Sequence, residues 1–344
     1  MPPTSSPVPW DFLVQRIREG RVVPFLGAGA SAFGYQANDP HPPTSTGLLQ
    51  EIASWALQEP FSVCGHANFD LPKIASYYNQ VNTRGVFNQK LRGVFDVKGF
   101  TPNCLHRVLA EIGKRWPILI VTTNYDNLIE TAFDEADAPY EVVATAADKL
   151  ASGAKGKIGK TQVGMVCHRI SGDPSGFTPV APKSLRFETT ERSIIYKIHG
   201  SLPMGPGWGG GYLIAEEDYV RFLGLMDHLE LVPAAFRRRL TAEKSGPEHR
   251  SSLLVLGYGM HDWNMRVLLD SLGIGSGRAN EEKHVVIDRD PREIEWELLR
   301  SRNFIPCQQD LAVFVPELAR RLGIEASPLS RDGQASRTCE RPAA

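Results

Sequence analysis

The chain has 344 residues, with 38 basic and 39 acidic side chains and a formal net charge of −1. It is 42% hydrophobic and 22% charged, which is typical of an ordinary globular domain. The balanced charge argues against a broad nucleic-acid-binding face. No run approaches the ~20 apolar residues that a membrane helix needs. The first ten residues lack the basic and apolar regions of a signal peptide, so a cytoplasmic location is expected.

The cysteines are few and scattered: Cys64, Cys104, Cys167, Cys307 and Cys339. No two of them form a CxxC pair, so the spacing predicts neither a disulfide framework nor a zinc knuckle. Isolated cysteines of this kind are most often small, buried core residues with a free thiol.

The first half of the chain alternates between helical periodicity and short apolar runs. Helices are predicted at 10–20, 46–58, 102–114 and 127–136, and a mixed helical region at 71–95. Strands are predicted in RVVPFLGAGAS, in WPILIVTTNYD and in YEVVAT. The Pro-rich stretch 36–46 is predicted to be irregular. Ile118 to Val121 form a continuous β-branched run, which is typical of a strand buried on both faces of a parallel sheet.

The second half repeats the strand-then-helix pattern around two insertions. Residues 147–190, rich in Gly, Lys, Ser, Thr and Pro, are predicted to form an insertion or excursion, and 216–243 a helical insertion. Strands are predicted in RSIIYKIHGS, SSLLVLGYGMHD and KHVVIDRDPRE. A helix is expected to open at Asp290 and another to end at Gly323. With a flexible N-terminus at 1–8 and a disordered tail at 326–344, the pattern predicts one domain over 9–325.

Five strand-then-helix units predict an α/β fold, a Rossmann-like open parallel sheet with helices on both faces and helical and loop insertions. Ligands of such sheets bind at the carboxyl ends of the strands. The residues that directly follow the apolar runs are therefore the candidate site. They are Gly27, Ala28, Gly29 and Ser31, then Thr123, Asn124 and Asp126, then His199, then Gly257 and Tyr258, and Asp288.

Each of these signals alone has an ordinary structural interpretation. A glycine turn can be a tight connection as readily as a pyrophosphate site. Asn124 or Asp126 can cap a helix, and a lone histidine such as His199 is often structural. Asp288 can cap the next helix or accept hydrogen bonds from ribose hydroxyls. Their shared location at one edge of the sheet favours a ligand site.

The ordered motifs GAGAS, TTNYDNLIE, YKIHGS, LLVLGYGMHDWNMR and HVVID resemble the sirtuin-like domains of bacterial anti-phage defence proteins. They are similar, more distantly, to the sirtuin protein deacylases. The resemblance spans residues 20–322. It implies that oxidised NAD is the ligand, as substrate.

The resemblance also implies roles for individual residues. The GAGAS turn matches the family's phosphate-binding turn. Asn124 matches the asparagine that orients the nicotinamide ribose and the attacking water, and His199 the catalytic histidine. Asp126 matches the aspartate that faces the carboxamide. The other implied NAD-binding positions are Thr123, Gly257, Tyr258, Asp262 and Asp288.

Two departures from the deacylase pattern favour a hydrolase. Deacylases carry a four-cysteine zinc module after the catalytic histidine, but no cysteine lies between His199 and Gly257. They also carry an arginine-containing segment after the glycine turn, where this chain has FGYQANDPHPPTS. The resemblance therefore implies a metal-free NAD hydrolase that releases ADP-ribose and nicotinamide. The alternatives are a non-catalytic NAD- or ADP-ribose-binding regulatory subunit, a scaffold subunit and, more weakly, a zinc-free deacylase.

Defence NAD hydrolases must stay silent until infection. The resemblance thus implies an abortive-infection effector that is controlled by homo-oligomerisation or by a separately encoded partner such as a HerA-type ATPase. Direct contact with nucleic acid or with a membrane is not expected.

Overall fold

The computed structural model describes residues 6–35, 39–57, 70–95, 99–146, 166–173, 176–185, 191–201, 211–229, 250–259, 282–290 and 292–325, with Pro233, Phe236, Leu269, Asp270 and Ile274. Outside these residues lie the predicted tail at 326–344, most of the 147–190 excursion, and the part of the 216–243 helical insertion after residue 229 except Pro233 and Phe236. Asp262 also lies outside them.

Ten α-helices are described. They are α1 (Trp10–Arg18), α2 (Ala28–Ala32), α3 (Ser45–Leu57), α4 (Leu71–Val81), α5 (Arg84–Phe95), α6 (Cys104–Arg115), α7 (Leu128–Glu135), α8 (Glu216–Leu229), α9 (Glu293–Arg300) and α10 (Leu311–Leu322).

Nine strands are described in the same part of the chain. They are β1 (Val22–Leu26), β2 (Leu119–Thr122), β3 (Tyr140–Thr145), β4 (Val166–Ile170), β5 (Thr178–Val180), β6 (Ser193–Lys197), β7 (Ser252–Leu256), β8 (His284–Asp288) and β9 (Phe304–Gln308).

The strands form one sheet in the order β5-β4-β3-β6-β2-β1-β7-β8-β9. Neighbours from β3 to β9 are parallel, and only the β3–β4 and β4–β5 pairs are antiparallel. The central strands β1, β2, β6 and β7 are buried along their whole length, as expected where helices cover both faces of a parallel sheet. The Rossmann-like open α/β sheet predicted from the sequence is therefore confirmed.

Successive side chains of each strand enter two different cores. Leu26 lies in a cluster with Phe133 of α7 and Phe314 of α10. Phe25, the preceding residue, lies in the opposite cluster with Trp296 of α9. This alternation is the period of two that strand geometry imposes. Both faces of the sheet are thus covered by helices.

Helices α3, α4 and α5 form a separate module between β1 and β2. Their own apolar cluster includes Ile52, Tyr78 and Phe87, and it extends to Tyr125 and Tyr212 near the strand ends. The ring of Tyr125 lies edge-on to that of Tyr212, with 5.1 Å between centroids. The module therefore packs beside the carboxyl edge of the sheet.

The strand order has a switch point between β1 and β7. From β1 the chain proceeds to β2, β3 and β6 on one side, and it then crosses to β7, β8 and β9 on the other. Such a switch point opens a crevice at the carboxyl ends of the two central strands. By this rule a crevice is expected where β1 leads into Gly27 and β7 leads into Gly257.

Several elements differ from the sequence-based predictions. The 147–190 excursion contributes β4 and β5 to the sheet, and β9 was not predicted. The edge strands are β5 and β9, and β4 lies next to β5; the second half of β4 is partly buried and most of β5 is exposed. Helix α9 begins at Glu293 with Arg292 as its N-cap, so the predicted opening at Asp290 is wrong by a few residues.

The cysteines divide into two groups. Cys167 and Cys307 are buried free thiols, as predicted. Cys104 is disulfide-bonded, so the prediction of a free thiol is wrong there, and its partner lies outside the described residues. Among the described residues, no helix is long and apolar enough to cross a membrane.

Candidate active site

The glycine turn after β1 packs directly against the end of β7. The N–H of Gly27 donates to the carbonyl of Leu256 at 3.1 Å, and that of Gly29 to the carbonyl of Gly257 at 2.9 Å. A Cβ at Gly27 would lie 2.5 Å from the Gly257 oxygen, which is too close for any side chain. Gly257 itself has a φ of +63°, a conformation that favours glycine. Contact between the two strand ends thus accounts for these glycines, and phosphate binding by the turn stays a prediction.

Asn124, at the end of β2, is held in one orientation by two hydrogen bonds. Its Nδ2 donates to the carbonyl of Gly27 at 3.0 Å and to Oγ of Ser31 at 2.9 Å. Because a carbonyl oxygen only accepts, the Gly27 contact identifies which amide atom is the nitrogen. Both amide hydrogens are therefore donated to atoms of the protein. The Oδ1 atom is buried and has no hydrogen-bond partner among the described residues.

Ser31 is supported from its other side by a buried histidine. The N–H of Asn103 donates to Nδ1 of His106 at 3.1 Å, which assigns the proton of the neutral ring to Nε2. That Nε2 lies 3.4 Å from Oγ of Ser31. Burial lowers the pKa of His106 to about 4. The imidazole is therefore neutral at physiological pH, and Ser31 accepts hydrogen bonds from both His106 and Asn124.

Ser31 and Asn124 were predicted from the sequence, whereas His106 was not. A signal was present at the predicted start of α6, where Asn103 precedes His106 by three residues. In the structure these two residues form a capping box, with the Asn103 side chain accepting from the His106 N–H at 3.2 Å. The usual box places Glu or Gln at the third position, so the histidine variant was not recognised.

Two other predicted residues of this turn make structural contacts. The N–H and Oγ1 of Thr123 both donate to the carbonyl of Leu26, at 3.1 and 3.3 Å. Oδ1 of Asp126 accepts from the N–H of Leu128 at 3.1 Å, at the start of α7. Asp126 precedes Asn127, the N-cap of α7, so it is not itself the capping residue, although its buried side chain accepts from the first helical N–H. Its proposed contact with a carboxamide stays a prediction.

His199 follows β6, the strand next to β2. The N–H of Ile198 donates to the carbonyl of Thr122 at 3.0 Å, so the chain segments that lead to His199 and to Asn124 run side by side. The His199 residue is 9% exposed. Its ring lies edge-on to Tyr219 of α8, with 5.3 Å between centroids.

The remaining predicted residues lie on the β7–β8 side of the crevice. The ring of Tyr258 packs edge-on against Phe25, with 5.5 Å between centroids. Asp288 ends β8, one strand further from the glycine turn, and its Oδ1 accepts from the N–H of Asp290 at 3.1 Å. Asp262 lies outside the described residues. The structure therefore groups Gly27, Ser31 and Asn124 most closely.

The strand order defines a Rossmann-like α/β protein, and polar side chains lie at the strand ends next to its switch point. The chain matches the model of the SIR2-like domain family over residues 118–307, more than half of its length, and it belongs to that family. Membership indicates an NAD-related activity in general terms.

A solved structure from work on the mechanism and regulation of Sir2 enzymes is also similar to this chain. It is 11% identical, with a TM-score of 0.37, and the match covers 91% of this chain and 96% of that one. A comparison with curated proteins found no match.

Proposed function

We propose that the chain is an NAD glycohydrolase, which converts NAD and water to ADP-ribose and nicotinamide. The observation that supports this most directly is the fixed orientation of the Asn124 amide, whose two hydrogens are both donated to atoms of the protein. Its Oδ1 is buried near the end of β2 and has no hydrogen-bond partner among the described residues, so it is ready to accept a hydrogen bond. A water molecule or a ribose hydroxyl supplies a matching donor.

The reaction needs little acid catalysis. The bond between the anomeric carbon and the nicotinamide nitrogen breaks, and its electron pair leaves with a nicotinamide that becomes neutral. The oxygen of water bonds to the anomeric carbon, and one water proton is removed. A pair of carboxylates, as in most glycosidases, is therefore unnecessary. The site must instead orient the reactants and exclude bulk water.

Asn124 is suited to orient the nucleophile. An amide generally offers a donor and an acceptor, but here Gly27 and Ser31 occupy the donor side. Its Oδ1 holds one hydrogen of the water, which turns an oxygen lone pair toward the anomeric carbon. Since His106 and Ser31 fix the amide from behind, this orientation costs no reorganisation during the reaction.

His199 is the proposed general base. Histidine is the side chain whose charge changes near neutral pH, so it can accept a proton from water or a ribose hydroxyl. Its position beside the β2 end and its burial against Tyr219 suit that role. Asp126, Thr123, Tyr258 and Asp288 are proposed NAD contacts around this pair, as is Asp262.

Substitution of the two central residues tests the assignment. We expect Asn124→Ala and His199→Ala to lower kcat for nicotinamide release by about 100- to 10,000-fold, as is usual for loss of a well-placed catalytic group. The kcat of Asn124→Asp should fall by a similar factor. In this variant an oxygen replaces Nδ2 opposite the Gly27 carbonyl, so the hydrogen bond between them is lost.

A matched control is available three residues away. Asn127 is exposed and its side chain makes no capping hydrogen bond, so Asn127→Ala should retain wild-type turnover. Wild-type rates in the Asn124 and His199 variants would contradict the assignment. Thermal stabilisation by NAD without nicotinamide release would support the regulatory-subunit alternative. Release that requires an acetyl-lysine peptide would support a deacylase.

The biological role follows from the chemistry and from the resemblance to defence proteins. Unrestrained hydrolysis of NAD kills a cell, so the activity needs a switch. We propose an abortive-infection effector, acting in the cytoplasm, that is activated by homo-oligomerisation or by a separately encoded partner such as a HerA-type ATPase. Assay of the protein at several concentrations, and with its genomic neighbour, separates these two switches.

A further inference from the structure

Lys197 is a fully buried lysine in an otherwise apolar strand. It ends β6, where its exposed fraction is 0%, and its Nζ lies 2.8 Å from Oε1 of Glu130 on α7. Glu130 is 2% exposed. The pair thus lies in the interior beneath the carboxyl edge of the sheet.

A buried ion pair of this kind is a poor source of stability. Desolvation of the two charges offsets their attraction, and apolar replacements of similar volume are often as stable or more stable. One carboxylate oxygen of Glu130, Oε2, also lacks a hydrogen-bond partner among the described residues. Stability alone therefore does not account for the Lys197–Glu130 pair.

The pair connects the two segments that carry the proposed catalytic residues. Nζ of Lys197 also donates to the backbone carbonyl of Asp126, which lies two residues after Asn124. Lys197 itself precedes His199 by two residues. Thr122 and Lys197 are register partners on β2 and β6. One ammonium group thus holds the Asn124 turn, the start of α7 and the His199 strand end together.

We propose that the buried Lys197–Glu130 pair is a positioning device, which fixes the separation between Asn124 and His199. This inference rests on the proposed function. Lys197 and Glu130 do not touch the reacting atoms, and they act through the Asp126 carbonyl and the strand end. A small displacement of catalytic groups by a distant change is enough to lower turnover by about 100-fold.

Two variants separate this role from a purely structural one. In Lys197→Met/Glu130→Leu the charges and the link to Asp126 are removed but the volume is kept. We expect its Tm to equal or exceed that of the wild type, with kcat lowered about 10- to 100-fold and KM nearly unchanged.

Glu130→Gln gives the opposite pattern. Its amide oxygen still accepts from Lys197, so the geometry is kept, but a buried ammonium group loses its counter-charge. We expect a Tm lower by roughly 5–15 °C and a kcat within about threefold of wild type. If the role is purely structural, activity follows stability in both variants, and the proposal is overturned.

The pair Arg320–Glu317 of α10, in which Arg320 is exposed and Glu317 partly buried, has 2.6 Å between Nη2 and Oε1 and provides the control. Arg320→Met/Glu317→Leu should leave kcat unchanged. If the wild type releases no nicotinamide, the proposed function fails, but the positioning role can still be measured. Hydrogen exchange at residues 198–201 should be faster in Lys197→Met/Glu130→Leu than in wild type, and unchanged exchange there overturns the proposal.

Discussion

At the scale of single residues, His106 shows how a buried neutral group supports a polar site. Its imidazole accepts from the Asn103 backbone and donates toward Ser31, which in turn accepts from Asn124. Protonation of the ring would remove the acceptor that Asn103 needs. The same burial that keeps this ring neutral therefore keeps the Asn124 amide in its orientation.

This neutral histidine predicts a pH dependence of stability. The pKa of His106 falls from 6.5 in the unfolded chain to about 4 in the fold, so between these values the unfolded chain binds a proton that the folded chain does not. The contribution of neutral His106 to the free energy of unfolding is complete above pH 6.5 and is lost as pH falls toward 4. We expect a loss of about 2 kcal/mol in the free energy of unfolding from pH 7.5 to 5.

Urea unfolding of wild type and His106→Gln at both pH values measures this contribution. Glutamine is a usual residue at this position of a capping box and does not titrate, so its stability should change less with pH. Identical pH dependences in the two proteins would contradict the assignment of the shift to His106.

The sequence predicted some residues of the site and not others, for a physical reason. Asn124 and Ser31 follow apolar runs, and the ends of parallel strands converge in space. His106 lies inside a helical pattern, and Lys197 is a single charge within the apolar run SIIYKI. Their partners, Ser31 and Glu130, are distant in the chain, so only the fold reveals the contacts. The lone charge in a buried strand was nevertheless a usable signal for Lys197.

At the scale of elements, the junction between β1 and α2 is the tightest contact near the site. A Cβ at Gly27 would lie 2.5 Å from the Gly257 oxygen and 2.7 Å from Cα of Tyr258. Both obstacles are backbone atoms, which cannot rotate away. We expect Gly27→Ala to destabilise the protein by about 1–3 kcal/mol and to weaken NAD binding, because the β7 end must move.

Gly93 provides the matched control for this prediction. It lies in α5, and a Cβ there would meet nothing within 4 Å. Gly93→Ala should therefore be neutral or stabilising by about 0.5–1 kcal/mol, as for an open helical position. Thermal unfolding with and without NAD compares the two variants. Equal stability of Gly27→Ala and Gly93→Ala would contradict the close-approach argument.

Central strands were predictable from the sequence, whereas edge strands were not. The strands β1, β2, β6 and β7 are buried on both faces and read as continuous apolar runs. Toward one edge, the second half of β4 is only partly buried and most of the edge strand β5 is exposed. At the other edge, β9 contains Pro306, which lacks an N–H for the ladder. The sequence of an outer strand shows only part of the continuous apolar run that is typical of a central strand, so it resembles the sequence of a loop.

At the scale of the whole molecule, the topology brings the site together. The strand order has its switch point between the neighbouring strands β1 and β7. Because β1 and β7 come from different halves of the sequence, residues from both halves meet at the carboxyl ends of these strands. The α3–α5 module packs next to that edge through Tyr125 and Tyr212. The nearly neutral charge of the chain agrees with a protein whose substrate is a small dinucleotide and not a nucleic acid.

Product analysis shows whether the chain hydrolyses NAD. Purified full-length protein is incubated with NAD, alone and with its genomic neighbour, and nicotinamide and ADP-ribose are quantified beside an Asn124→Ala sample. We expect equal amounts of the two products from the wild type and a loss of both in the variant. Absence of both products under all conditions, or release from Asn124→Ala at the wild-type rate, would contradict the proposed function.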